Sequence, residues 1–289
     1  MRKTPSYTLN DGFRMPMGFA TEAFASALGY QARPGDLFVA TYPKCGTTWV
    51  QHIVYLLLHD GTPLRADQSM TREFPHLEEV GGAAVEALPP PRCIKTHLPF
   101  SMTPYHAAAR YIYVARNPFD CVVSFYHHTR GFPKHYDFAE GTFDAYFECF
   151  IAGEVDFGDY FDNLISWQAH EGEENILFLT YEQMTADPRS AVSRIADFLQ
   201  VRLRRGDATL GDILRHSSFR SMSEHQGRWS SKRPQGMPAF VRKGVVGDWM
   251  NHLSGVQARR LARRFAERST GTQLESLWPE ILAAARDAD

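Results

Sequence analysis

Three times along the chain, a short apolar run ends in a polar turn and is followed by residues at helical spacing. That recurrence constrains the fold more than any other feature. Leu37 to Tyr42 ends at Pro43, and beyond a tight loop Val50, Ile53, Val54, Leu57 and Leu58 recur on one helical face until Gly61 stops the pattern. Tyr111 to Ala115 runs into Asn117-Pro118, a helix cap followed by proline at the first helical position. Ile176 to Thr180 leads to Asp187-Pro188, a second such cap, with Val192, Ile195, Ala196 and Leu199 sharing one face beyond it. Strands this uniformly apolar, alternating with helices, predict a parallel sheet covered on both sides. The expected architecture is a single α/β domain over residues 1–289, with a central parallel sheet flanked by helices in three layers. Such sheets bind ligands at the carboxyl ends of their strands. The loops there are Pro43 to Thr48, Arg116-Asn117 and Tyr181 onward.

Composition narrows the functional classes. Hydrophobic residues make up 44% and charged residues 22% of 289, which excludes disordered and fibrous chains. A net charge of −2 argues against a protein that coats nucleic acid or anionic membrane. The longest clean apolar run, Ile53 to Leu58, is far too short to span a bilayer. Met1-Arg2-Lys3 is followed by Thr4, Pro5 and Ser6 and not by the apolar core of a signal peptide. The four cysteines, Cys45, Cys93, Cys121 and Cys149, form no Cys-x-x-Cys pair, so neither a disulfide scaffold nor a zinc site is expected. These features predict a soluble cytoplasmic protein with no nucleic-acid or membrane partner.

The loop Thr41-Tyr42-Pro43-Lys44-Cys45-Gly46-Thr47-Thr48-Trp49 follows a strand and opens a helix. Gly46 permits close backbone approach, the helix start offers unpaired N–H groups, and Lys44, Thr47 and Thr48 add a charge and donors. Together these form a phosphate cradle, although an ordinary threonine-capped turn reads the same way. In a nucleoside-triphosphate loop the lysine follows the second glycine; here Lys44 precedes a single glycine. Ser217 to Asp248 differs from the rest of the chain: polar, without sustained period, and carrying Arg228, Lys232, Arg242 and Lys243. A loop of that length is a functional lid or a disordered segment.

These motifs resemble the cytosolic sulfotransferases, whose phosphosulfate loop differs from this one only at Cys45, where the family carries serine. Lys95-Thr96-His97-Leu98-Pro99, Tyr113 to Ser124, Leu179-Thr180-Tyr181-Glu182, and Arg242-Lys243-Gly244 followed by Gly247-Asp248-Trp249 resemble further family segments in the same order. The resemblance covers roughly Asp36 to His252. It implies 3′-phosphoadenosine 5′-phosphosulfate (PAPS) as sulfuryl donor and a small, largely apolar alcohol or phenol as acceptor. Lys44, Cys45, Gly46, Thr47 and Thr48 would hold the phosphosulfate. Arg116, Ser124, Arg242, Lys243 and Gly244 would hold the 3′-phosphate, with Trp49, Tyr181, Phe219 and Ser217 around adenine. The segment 217–248 would close over the donor as a mobile cap.

The resemblance also implies His97 as general base, supported by Lys44 and Lys95. Residues two apart in an extended segment face the same side, so Lys95 and His97 would share one face. A histidine near neutral pKa suits proton removal from a hydroxyl; His127 and His128 are the other candidates. Phe74, Phe100, Tyr126 and His128 are the expected acceptor-pocket residues. No metal is expected, since Asp and Glu show no ligand spacing. Cys45 places a thiol beside a cationic helix end, which predicts a depressed pKa and ready oxidation. Where many relatives carry a dimerisation motif, this chain has Met250, Ser254, Gly255 and Arg259, so that mode of pairing is not expected. Two other readings stay open at this level: a small-molecule kinase, which needs a magnesium-holding carboxylate, and a nucleotide-binding module without chemistry.

Overall fold

A computed structural model describes residues 3–230 and 233–288; Met1, Arg2 and Lys232, singled out above, lie outside them. The chain opens with an antiparallel hairpin of β1 (Tyr7–Asn10) and β2 (Phe13–Pro16). Asp11 and Gly12, at φ 49° and 84°, make the two-residue turn that such a hairpin favours. The strand–helix recurrence gives no hint of this hairpin, but the Asp-Gly dipeptide does.

The central sheet contains β3 (Asp36–Thr41), β4 (Arg92–Thr96), β5 (Arg110–Ala115) and β6 (Ile176–Thr180), all parallel in the order β4-β3-β5-β6. Side-chain alternation feeds two cores. Phe38, Ala40, Tyr111 and Tyr113 face one layer; Leu37, Val39, Ile112 and Val114 face the other. The second layer is built from α1 (Thr47–Leu58) and, later in the chain, Pro188–Leu199, whose Val50, Ile53, Val192 and Ile195 are buried together. The first is built from α2 (Pro118–Gly131), α3 (Tyr160–Gln168) and, near the carboxyl end, Gly255–Ser269. Trp167 of α3 stacks on Tyr113 with ring centroids 5.0 Å apart.

Both helix caps read from the sequence are present: Asn117 Oδ1 accepts from the Asp120 N–H, and Asp187 from that of Ser190. The chain leaves β3 towards β4 and leaves β5 towards β6, so the connections diverge where the carboxyl ends of β3 and β5 lie side by side. That divergence opens the crevice in which ligands of such sheets sit. No helix among the described residues is long and apolar enough to cross a membrane.

Candidate active site

The loop after β3 bends sharply because two residues take left-handed backbone: Lys44 at φ 70° and Gly46 at φ 101°. Gly46 is needed twice over, since a Cβ there would also come within 3.0 Å of the Tyr181 ring. Lys44 adopts this conformation at a cost of about 1–3 kcal/mol, the kind of strain that collects at functional turns. No side chain caps the start of α1. Its first N–H groups therefore face the crevice as an anion cradle. Thr47 Oγ1 and Thr41 Oγ1 share a hydrogen bond of 2.6 Å that ties loop to strand.

Cys45 corrects an expectation. Its side chain turns away from the helix end into the core, fully buried, with Sγ 3.7 Å from Cys121 Sγ. Burial pushes the thiol well above its ordinary pKa, the reverse of the depressed value read from the sequence.

His97 stands one residue beyond β4 and is held from several sides. Its Nδ1–H donates to the Thr41 carbonyl at 2.8 Å. A carbonyl can only accept, so this bond fixes the tautomer and leaves Nε2 without a proton in the neutral ring. The His97 backbone N–H donates to Glu78 Oε1 at 2.6 Å, the same oxygen receives the Thr96 hydroxyl, and Asn163 Nδ2 donates to the His97 carbonyl. Burial, then Lys95 and His76, hold the imidazole well below its ordinary pKa. Lys44 is likewise lowered, first by burial and then by the cations Arg233, Lys95 and Arg116.

At the end of β5, Arg116 stacks over the Tyr181 ring at 4.2 Å and donates to the carbonyls of Lys44 (3.3 Å) and Val245 (3.1 Å). Its Nε, and Nε1 of Trp49, are buried without a partner. Orphaned donors beside an uncapped helix fit an anionic nucleotide. Arg242 and Lys243 both reach Asp248, at 2.7 and 2.6 Å, and are carried to the site as a pair. Asp120 of α2 anchors this segment by accepting from the N–H groups of Gly247 and Trp249. Phe219 lies against Gly244, where any side chain would collide with its ring. Ser217 is buried, its hydroxyl donating to the Ile213 carbonyl. Within residues 217–230 and 233–248, Phe219–Ser223 forms a short helix and the Gln226 amide makes a reciprocal pair of bonds with the Val241 backbone.

The residues expected to hold the donor, Cys45 excepted, open onto one cavity of about 1120 Å³. At one end lie the phosphate loop, Trp49, Arg116, Ser124, Tyr181, Ser217, Phe219 and Arg242 to Gly244; Lys95 and His97 also line it. Phe74 and His128 are in its wall, but Phe100 and Tyr126 are not. Pro99 turns the chain so that Phe100 stacks on His170 at 3.6 Å and packs on Trp167. Tyr126 lies two residues from Ser124 on α2 and so points to the opposite side, into the core, its hydroxyl on the Gly141 carbonyl. Ser124 and His128, four apart, share the cavity face. The wall also contains Phe19, His76, Tyr136, Asp156, Phe157 and Phe240, which the sequence reading missed. Among the described residues no cluster of His, Cys, Asp or Glu has a metal-holding arrangement.

Residues 34–273 match the sulfotransferase domain model. The chain is 33% identical to rabbit sulfotransferase 1C2 over 261 residues, covering 85% of this chain and 87% of that one. It is 36% identical to mouse sulfotransferase 1B1 over 262 residues, covering 85% and 86%. Among solved structures, mouse sulfotransferase SULT7A1 complexed with PAP superimposes with a TM-score of 0.77 at 27% identity, over 93% of this chain and 97% of that one. The chain therefore belongs to the sulfotransferase family and is an enzyme that takes its sulfuryl group from PAPS.

Proposed function

We propose that this enzyme sulfates the hydroxyl of a small, largely apolar alcohol or phenol, with His97 as general base and Lys44 and Lys95 as supporting cations. The observation that carries the reading is the bond from His97 Nδ1–H to the Thr41 carbonyl, which leaves Nε2 unprotonated in a ring that lines the cavity. As the acceptor oxygen bonds to sulfur, its proton passes to Nε2, and the bond from sulfur to the phosphate oxygen breaks. Lys44 offsets the charge that grows on the leaving phosphate, and Lys95 supports the transferring group. Gly46, Thr47 and Thr48 hold the 5′-phosphate through backbone and hydroxyl donors. Arg116, Ser124, Arg242, Lys243 and Gly244 hold the 3′-phosphate; Trp49, Tyr181, Phe219 and Ser217 enclose adenine. That mouse SULT7A1 is complexed with PAP supports a nucleotide of this class as the donor-site ligand. Residues 217–248 close the donor half, tied down by Arg116 at Val245 and by Asp120 at Gly247.

His128 is the weaker base. Its Nδ1 accepts from Arg233 Nη2 at 3.3 Å, which engages its free lone pair. The apolar part of the wall, Phe19, Phe74, Phe157 and Phe240, suits an apolar acceptor body. His97→Ala tests the assignment. Single-turnover sulfate transfer should fall by about 10²–10⁴-fold while nucleotide affinity and melting temperature stay near wild type. A stable variant that still transfers at the wild-type rate removes His97 from the mechanism.

A further inference from the structure

One carboxyl in the cavity wall is left half satisfied. Asp156 is fully buried; its Oδ2 accepts from the Tyr136 hydroxyl at 2.7 Å, and its Oδ1, like the hydroxyl of neighbouring Tyr7, has no hydrogen-bond partner. It lines the same cavity as His97, beside Phe157. The backbone imposes this position. Phe157 is held at φ 62° and Gly158 at 79°, a left-handed pair that is unfavourable for a bulky residue. The turn is pinned on both sides: the Phe157 N–H donates to the Arg14 carbonyl of β2, and the Gly158 carbonyl receives the Tyr42 hydroxyl. The Phe157 ring thereby rests against His97 and His76, at 5.0 and 5.7 Å. Burial pushes the carboxyl up to about 7, against the opposing effect of the Tyr136 hydroxyl, its own backbone N–H and His76.

A buried acceptor with no donor is costly, and in a binding cavity the ligand can supply the missing proton. We propose that Asp156 is an acceptor-specificity residue, whose Oδ1 receives the O–H of a second hydroxyl on the substrate, remote from the one that is sulfated. The preferred acceptors are then diols or diphenols with an apolar body. The inference rests on the acceptor reading above and narrows it. A hydroxyl fits better than an ammonium group. Only one acceptor position is open, the adjoining wall is Phe19, Phe157 and His76, and Lys44 and Lys95 already crowd positive charge into the cavity.

The test uses four phenols on one skeleton, carrying hydroxyl, methoxy, hydrogen or aminomethyl at the remote position, with PAPS and the intact enzyme. Wild type should favour the remote hydroxyl over hydrogen by about 10–100-fold in kcat/KM. In Asp156→Asn, the Tyr136 hydroxyl should hold the amide oxygen, so that NH₂ stands where Oδ1 stood. The hydroxyl preference should then drop to about threefold or less and methoxy should gain, a reversal that loss of packing alone would not produce. Indifference of the wild type to the remote group, preference for the amine, or unchanged selectivity in the variant would overturn the proposal. The wild-type comparison decides alone should the variant fail to fold. Turnover of the unsubstituted phenol by wild type reports on sulfate transfer itself; no product from any phenol would instead count against the acceptor reading.

Discussion

The two halves of the cavity are built on different principles. The proposed donor half is anchored on residues adjoining strand ends, the Lys44–Thr48 turn, Arg116 after β5 and Tyr181 after β6, with Ser217, Phe219 and Arg242 to Gly244 added from later in the chain. The acceptor half is assembled from side chains of five distant segments: Phe19, Phe74 and His76, His128 to Tyr136, Asp156 and Phe157, and Phe240. Strand ends are fixed by the sheet's register, so a short contiguous motif suffices to define an anion site. An apolar pocket needs only volume and shape, which many residue combinations satisfy. The contrast shows why the same molecule can have a tightly specified donor and a loosely written acceptor.

Removing a cation from the donor half should tell whether that half acts as one unit. In the proposed mechanism Lys44 meets both bound donor and leaving group, so Lys44→Ala should lower single-turnover transfer by roughly 10²–10³-fold and also weaken donor binding. Nucleotide titration alongside rapid-quench kinetics measures both. A loss confined to affinity, with the bound-state rate unchanged, would reduce Lys44 to a binding residue and blur the line between holding and chemistry.

A smaller effect is expected at Arg116, to which the proposal gives a role in binding alone. The wild type should bind adenosine 3′,5′-bisphosphate far more tightly than AMP, and Arg116→Ala should erode that preference by about 1.5–3 kcal/mol, as calorimetry would record. Because Arg116 also braces Lys44 and Val245 through their carbonyls, the ratio of the two nucleotides is the informative quantity. Equal wild-type affinity for both would detach the 3′-phosphate from this end of the cavity.

How much was legible follows from the same contrast. Three of the four parallel strands, the caps Asn117 and Asp187, the phosphate loop and the shared side of Lys95 and His97 could be read because each depends on local spacing. Phe100 is only three residues from His97, yet Pro99 redirects the chain and a 3₁₀ turn carries it to Trp167. Tyr126 failed for a reason that was available in advance, namely that a helix separates residues two apart onto different faces. Glu78, whose Oε1 receives the His97 backbone N–H, lies in a helix of only four residues, Leu77–Val80, where no periodicity can accumulate. Asp156 and Phe157 sit in a left-handed turn whose one outward sign is Gly158. The thiol of Cys45 was misjudged because the sequence shows which residue occupies the loop but not that its side chain leaves it.

The central claim is that His97 is held neutral, protonated on Nδ1 and open on Nε2, in the wall shared by both halves. Nitrogen-15 NMR of the histidine-labelled enzyme, read across pH, tests this directly. The account predicts that His97 remains the Nδ1–H tautomer near pH 7, and that its protonation begins only well below the ordinary histidine value of about 6.5, because burial and the cations Lys95 and Lys44 oppose a further positive charge. A proton found on Nε2 of the neutral ring, or an imidazole already cationic at pH 7, would contradict it.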